Sequence, residues 1–409
     1  MSFEMNLEKI KSAQKVLASL VPPTPLVYNP WLSEKYGAEI YLKLENLQPI
    51  GSFKIRGATH LISTLSQEER SAGVIAASAG NHAQGVAWGA RRFGVRATIV
   101  MPENAPLVKI SNTKKLGAEV VLWGSGYDDA SAKAEELARS RNLVRVHAFE
   151  DERIIAGQGT LGLEIMDQLP EVDAVFASIG GGGMMSGLAW SLKEMKKNTA
   201  LFACQASGAA SLARSLEEGR LIEVPYLGTF ADGIAVKRPS EKMFTLLKGR
   251  IDAVSIANDE QIASAVLELL ESGKTVAEGS AAITLCGLRQ YRERIKGKRV
   301  VLVISGGNID VNLTGRIIDR GLVQSGRRLR LNVTLDDRPG ALSRLTQVIA
   351  ECGANVIQAI HDRSEPGTSI HHTEVALTLE TSGEEHISDL IHKVRPCVVS
   401  LERVGNIVP

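Results

Sequence analysis

Four consecutive glycines, Gly180-Gly181-Gly182-Gly183, constrain the fold of this chain more than any other feature. They follow Ala174-Val175-Phe176-Ala177-Ser178-Ile179, an apolar run that reads as a buried strand, and they precede Met184 to Met195, which reads as a helix. Glycines in that position let the backbone turn tightly and expose N–H groups at a helix N-terminus, which makes a cradle for a phosphate. No Gly-Lys-Ser/Thr closes the run, so it is not a nucleotide P-loop. Its glycines are contiguous, so it is not the spaced dinucleotide pattern either. A flexible connector would not be flanked so closely by a strand and a helix.

The same punctuation recurs. Val74 to Ser78 reads as a strand, Ala79-Gly80-Asn81 as a turn, His82 to about Gly94 as a helix and Arg96 to Met101 as a strand. That is a βαβ unit, and ligands collect at the carboxyl ends of such strands. Ser78 and Asn81 are placed there to meet an anionic or carbonyl-like group, although both residue types also suit turns. Val300 to Ile304 runs as a strand into Ser305-Gly306-Gly307-Asn308. Near the N-terminus, Gly51-Ser52-Phe53-Lys54 opens a segment whose apolar residues Ile55, Ala58, Leu61, Ile62 and Leu65 recur at helical spacing. Ser52 reads as its N-cap, with Lys54 in the first turn. A lysine there is either a solvated head group or an amine held for covalent work with an aldehyde. Alternating strands and helices from about Ile40 to Asp310 imply parallel sheets covered by helices.

Composition narrows the function. The chain has 409 residues, 44% of them hydrophobic, which predicts two or three domains with a sizeable interior. A net charge of +1 makes no case for nucleic acid or an acidic membrane surface, and 4% aromatics offers no stacking platform for bases. Cys204, Cys286, Cys352 and Cys397 are dispersed, without metal spacing or a disulfide framework, and point to a reducing, cytoplasmic setting. The eight histidines show no ligand spacing. Met1 to Leu20 lacks the apolar run of a signal peptide, and no later segment is long enough to span a bilayer.

Taken together, Gly51 to Lys54, Ser78 to His82, Gly180 to Gly183 and Ser305 to Asn308 resemble, in order, the motifs of the fold-type II pyridoxal-phosphate enzymes. The resemblance is greatest to the threonine ammonia-lyases and spans roughly the first four-fifths of the chain. Leu44 to Gln48, Gly157 to Thr160 and Asp232 to Lys237 support it. It implies an α/β, tryptophan synthase β-like fold of two parallel-sheet lobes. The catalytic domain would span residues 1–320, its smaller lobe, about 48–153, being inserted into the larger, with the cofactor between them. The resemblance further implies a role for each motif. Lys54 forms the Schiff base to pyridoxal phosphate and, once displaced by substrate, takes the α-proton. Gly180, Gly181, Gly182 and Gly183 hold the phosphate, Asn81 meets the phenolic oxygen, and Phe53 packs on the ring or serves as core. Ser78, Ala79 and Gly80 present N–H groups to the substrate carboxylate, beside Asn81 and His82.

Ser305 matches the family's partner for the pyridine nitrogen. A hydroxyl does not force that nitrogen to stay protonated, so the ring is a weaker electron sink and loss of a β-substituent is favoured over transamination. Serine racemases carry a second serine where this chain has Ala79, so efficient racemisation is not expected. The cation site of those racemases also departs here, with Gln205 and Ser211 at positions where carboxylates are usual, and no metal is expected. The expected reaction is deamination of L-threonine, and of L-serine, in a homo-oligomer that is a dimer or tetramer. A pyridoxal-phosphate-binding amino-acid sensor, a serine racemase or dehydratase, and a hydroxyaspartate ammonia-lyase stand as alternatives.

The last fifth has its own pattern. Leu329 to Leu335 alternates as a strand, and Asp336-Asp337-Arg338-Pro339-Gly340-Ala341-Leu342 leads into a helix. Strands from about Gly353 and His372, a helix from Glu384 to Val394 and a last strand within Val398 to Val404 complete a βαββαβ order. The module resembles an ACT domain, ferredoxin-like, over 329–409, with 321–328 as a polar linker. The resemblance implies an amino-acid effector such as isoleucine or valine, held near Pro339, Gly340, Ala341, Leu342 and Asn355; service in oligomer contacts alone is the other reading.

Overall fold

The computed structural model describes residues 5–363 and 369–404. Met1–Glu4 and residues 405–409, which the readings above include in the N-terminal segment and the terminal module, lie outside them.

The strands sort into three sheets. The largest has the order Leu26–Tyr28, Glu39–Leu44, Arg299–Ile304, Ala174–Ser178, Ala200–Ala206, Ala253–Ala257. Its first strand is antiparallel to the second, and every later pairing is parallel. The central strands Ala174–Ser178 and Arg299–Ile304 are apolar and buried along almost their whole length, as a sheet covered on both faces requires. Helices Leu7–Leu17, Glu152–Gln168 and Gly183–Met195 supply Ile10, Leu161, Met185 and Leu188 to the core on one side of it.

The second sheet is wholly parallel, in the order Glu119–Leu122, Ala97–Met101, Val74–Ala77, Val144–Arg145. All four strands fall in sequence between Glu39–Leu44 and Ala174–Ser178 of the large sheet. Helices Lys54–Ser63 and Asn81–Arg92 close one face through Ala58, Leu61, Ile62, Ala83, Val86 and Ala87. The carboxyl ends of the strands that precede the glycine turns therefore carry the predicted site residues.

The chain divides into two compact units, 1–309 and 310–409. In the second, the strands are antiparallel, in the order Asn355–Asp362, His372–Glu380, Arg328–Asp336, Ser400–Arg403. Helices Ala341–Glu351 and Glu384–Val394 cover one face. Leu329, Leu331, Val333 and Leu335 alternate inward from a single strand, and each stabilises the unit by about 1.5–3 kcal/mol on burial. The order is βαββαβ.

One expectation is corrected. The polar stretch read as a linker, 321–328, is structured. A helix, Val311–Gln324, runs into it, and the first strand of the module starts at Arg328. Asp310 caps that helix by accepting from the Asn312 and Leu313 N–H groups, and Ile317 is its buried anchor. The cap and the spacing of the apolar residues outweigh the presence of Gly321.

Candidate active site

Two of the predicted motifs are one structure. The Phe53 N–H donates to the Ser305 carbonyl (3.0 Å), the Gly307 N–H donates to the Gly51 carbonyl (3.0 Å), and Ser52 forms a β-bridge with Gly306. The sequence reading of Ser52 as N-cap is therefore corrected. The helix Lys54–Ser63 starts after Phe53 and has no side-chain cap, because Ser52 is held in this bridge. The Ser52 hydroxyl is buried and without a hydrogen-bond partner.

The Lys54 amine donates to the Ala148 carbonyl (3.3 Å) and lies 5.2 Å from the centre of the Phe53 ring. Loss of water around it pushes its pKa down to about 8, against an upward pull from the carboxylate of Glu278. A sizeable fraction of the amine is then neutral near physiological pH, which a nucleophilic lysine needs.

Ala148 belongs to a segment that the sequence reading passed over, residues 146–150. The Val146 carbonyl accepts from His82 Nε2 (3.0 Å). His147 Nδ1 accepts from the Phe149 and Glu150 N–H groups (3.3 and 2.9 Å). The His147 ring meets Phe149 edge-on at 4.7 Å. Phe149 in turn lies on the glycine loop: a Cβ on Gly181 would sit 2.2 Å from its ring. Gly182 adopts φ 95°, open to glycine at no cost. The helix Gly183–Met195 has no side-chain cap, so its first N–H groups face out as an anion site. These five residues thus join Lys54, His82 and the glycine loop. They follow a two-residue strand and carry no motif, which is why patterning did not mark them.

The turn after Val74–Ala77 is tighter than predicted. The Ser78 hydroxyl accepts from the Gly80 N–H (3.2 Å), so that group is occupied by the protein itself. Ala79 packs partly against the small-sheet core. His82 is buried. Burial, Lys54 and other nearby cations lower its pKa to about 3, and it is a neutral donor to Val146. Asn81 donates from Nδ2 to both Glu278 oxygens (2.9 and 3.1 Å) and accepts at Oδ1 from Asn308 Nδ2 (2.8 Å). The Ser305 hydroxyl is buried, 3.4 Å from that of Ser178. Gln205 Oε1 accepts from the Ala213 N–H while its Nε2 is buried without a partner, and the Ser211 hydroxyl accepts from the Val224 N–H.

Glu278 is the second group the sequence reading missed. It precedes the helix Gly279–Gln290, where an acidic residue ordinarily reads as a solvated cap, yet only 5% of it is exposed. Desolvation raises its pKa, opposed by hydrogen bonds from Ser280 and Asn81. On the rim, Lys109 pairs with Asp232, and Lys237 with Asp128 (3.0 Å), joining the small-sheet helices to the 232–237 segment.

In the second unit, Pro339, Gly340, Ala341 and Leu342 line a recess of ≈ 240 Å³ with Asp337, His361, Arg363 and Thr373. Asn355 does not belong to it. The sheet is antiparallel, so Asn355 lies opposite Glu380 and in the row of Arg328, whereas the recess lies at the other end, where Asp336 pairs with His372. The structure therefore does not bring Asn355 together with Pro339 to Leu342.

A desolvated amine, an uncapped anion loop within one shared framework and an orphaned buried hydroxyl fit an aldehyde that carries a phosphate. Known proteins agree. Residues 17–306 match the family described as pyridoxal-phosphate dependent enzyme, and residues 329–396 match the ACT domain. An L-threonine ammonia-lyase of Thermotoga maritima is 48% identical over 94% of this chain and 96% of its own. Among solved structures, threonine deaminase isoform 2 of Solanum lycopersicum superposes with a TM-score of 0.72 at 35% identity, covering 78% of this chain and 95% of its own. A maize serine racemase superposes at 0.73 and 29%, covering 78% of this chain and 98% of its own. By fold, site and sequence, the chain belongs to the fold-type II pyridoxal-phosphate-dependent enzymes and carries a C-terminal ACT domain.

Proposed function

We propose that the protein is a threonine ammonia-lyase, converting L-threonine to 2-oxobutanoate and ammonia and acting also on L-serine, as a cytoplasmic homo-oligomer on the route to isoleucine. The observation that carries this is the placing of the Lys54 amine on Ala148, one residue from the ring that lies against the glycine loop. Bound pyridoxal phosphate supplies the electron sink for loss of the α-proton. The chain does the rest. Gly180 to Gly183 offer N–H groups to the phosphate, Ser305 offers the pyridine nitrogen a hydroxyl, and Asn81 meets the phenolic oxygen. Lys54, with its lowered pKa, would hold the cofactor aldehyde and, once the substrate amine has taken its place there, would be the amine that accepts the α-proton. Because the Ser78 and Gly80 N–H groups are bonded to the Val100 carbonyl and the Ser78 hydroxyl, the substrate carboxylate would be received by the Ser78 hydroxyl, the Ala79 N–H and the start of the helix Asn81–Arg92, and Phe53 would pack beside the ring.

The test is an oxo-acid assay on the cofactor-loaded protein with threonine, serine and hydroxyaspartate compared. Threonine is expected to give 2-oxobutanoate with the highest kcat/KM. Lys54→Ala is expected to lower turnover by at least about a thousandfold, because it removes both nucleophile and base. A visible band that shifts with threonine while no oxo acid forms would identify a sensor instead.

A further inference from the structure

We propose that Glu278 is a positioning residue that fixes which end of the Asn81 carboxamide faces the cofactor. The inference rests on the reading of Asn81 as the group that meets the phenolic oxygen. An asparagine amide has a donor end and an acceptor end of almost equal size, and turning it over would present a carbonyl where an N–H is needed. Here both ends are addressed. The Ile50 carbonyl accepts from Asn308 Nδ2 at 2.8 Å, so that nitrogen is a donor. The same nitrogen donates to Asn81 Oδ1 at 2.8 Å, so that oxygen is the acceptor. Asn81 Nδ2 then faces Glu278, at 2.9 and 3.1 Å from its two oxygens.

In either protonation state at least one Glu278 oxygen accepts from Nδ2, and a turned amide would also set its nitrogen against the Asn308 donor. The Ser280 hydroxyl donates to Glu278 Oε1 at 2.5 Å and holds the carboxylate in place. The chain Ile50, Asn308, Asn81, Glu278, Ser280 therefore has a single consistent set of donors and acceptors. The backbone leaves room for it at two glycines. A Cβ on Gly306 would lie 2.7 Å from Glu278 Oε1, and one on Gly51 would lie 2.5 Å from Asn308 Oδ1. Nδ2 carries two protons. The carboxylate, with both oxygens on one side, takes one and leaves the other for a ligand. No ion pair joins Glu278 to a cation among the described residues, so its direct partners are neutral donors that its orientation serves.

The experiment is a double-variant cycle on the full-length, cofactor-loaded protein: Glu278→Ala, Asn81→Ala, both together, and Glu278→Gln, whose amide oxygen can still accept from Asn81. Readouts are the visible absorption maximum of the bound cofactor, kcat and KM for threonine, and the melting temperature. Glu278→Ala is expected to shift the absorption maximum and to lower kcat by on the order of ten- to a hundredfold with KM changed much less, as losing an orienting partner does. Asn81→Ala should do the same, and the double variant no more than the worse single. Glu278→Gln should restore kcat to within about threefold of wild type. Losses that multiply in the double variant would overturn the proposal. So would an Asn81→Ala protein with unchanged band and kcat, or a Glu278→Gln protein as impaired as Glu278→Ala. Should Glu278→Ala fail to fold, Glu278→Gln and Asn81→Ala still decide. If the wild type takes up no pyridoxal phosphate, the reading of the site fails, and the proposal with it. That outcome is seen in the wild type, whereas the others appear only in the variants.

Discussion

At the scale of single residues, the site's chemistry turns on what is missing beside Ser78. On the proposed reading, Ala79 offers no proton where a second hydroxyl would stand, and the lysine side would be the one from which Cα is protonated. A positioned acid or base contributes about 10²–10⁴-fold to a proton transfer. Ala79→Ser should therefore raise D-serine formation from L-serine by about a hundredfold while oxo acid is still made. Chiral chromatography of the products checks it, and equal D-serine from the wild type would refute the one-sided account. His82 makes a second prediction, in stability. Its folded pKa is about 3, below the 6.5 of a free imidazole, so the unfolded chain binds the proton more readily. The stability this residue contributes is complete above pH 6.5 and is lost as pH falls from there towards 3. His82→Gln, which can still donate to Val146, should flatten the fall in urea midpoint across that window. An unchanged slope would show that other groups set it.

At the scale of elements, the helix that carries Lys54 is anchored by buried charge. Arg56 donates to Glu45 through Nε and Nη2 (both 2.7 Å) and to Glu164 through Nη1 and Nη2 (2.6 and 2.8 Å). Lys43 donates to Glu164, to Gln168 and to the Thr24 carbonyl. Two cations and two carboxylates close on themselves and tie the strand Glu39–Leu44 to the helices Lys54–Ser63 and Glu152–Gln168. Arg56→Met removes one cation and leaves the buried Glu45 and the partly buried Glu164 with Lys43 as their remaining cation. That should cost about 3–5 kcal/mol, measured as the urea unfolding of the full-length protein. A loss below about 1 kcal/mol would mean that the network is dispensable. None of this network was legible beforehand, since charge at helical spacing ordinarily reads as a solvated face. The strands and glycine turns were legible, because apolar runs of strand length that end in small residues leave few alternatives. The convergence was legible only in part. Lys54, Ser78, Asn81, the four glycines and Ser305 each sit in a local signature, whereas Glu278, His147 and Phe149 matter through long-range contacts. Ser52 was misread because a serine before a helix usually caps it, and here a β-bridge to Gly306 takes it.

At the scale of the whole molecule, each motif read as catalytic lies no later than Asn308, and the second unit begins at Asp310. The second unit has its own core and a recess of ≈ 240 Å³ beside a turn and a helix start, and the effector is proposed to bind there. The recess carries Asp337 and Arg363, which pair at 3.0 Å, together with the backbone of Pro339 to Leu342, a lining that suits the carboxylate and amine of an amino acid. An effector bound there alters the catalytic unit only if it binds one conformational state better than another. Isoleucine or valine is therefore expected to change the kcat/KM for threonine by about 5- to 150-fold, the range of ordinary coupling energies. Ser343 lines the recess and is exposed, so Ser343→Trp fills it without disturbing the core beneath. That variant should keep the activity measured without effector and lose the response to isoleucine and valine. Its oligomeric mass, measured by light scattering on the same samples, should equal that of the wild type, so that a change of assembly is not mistaken for loss of binding. If Ser343→Trp responds like the wild type, the effector binds elsewhere. If the wild type responds to no amino acid, the module serves assembly, and a fall in mass on substituting the exposed residues Ile357 and Ile360 of its edge strand by Lys is the outcome that would show it.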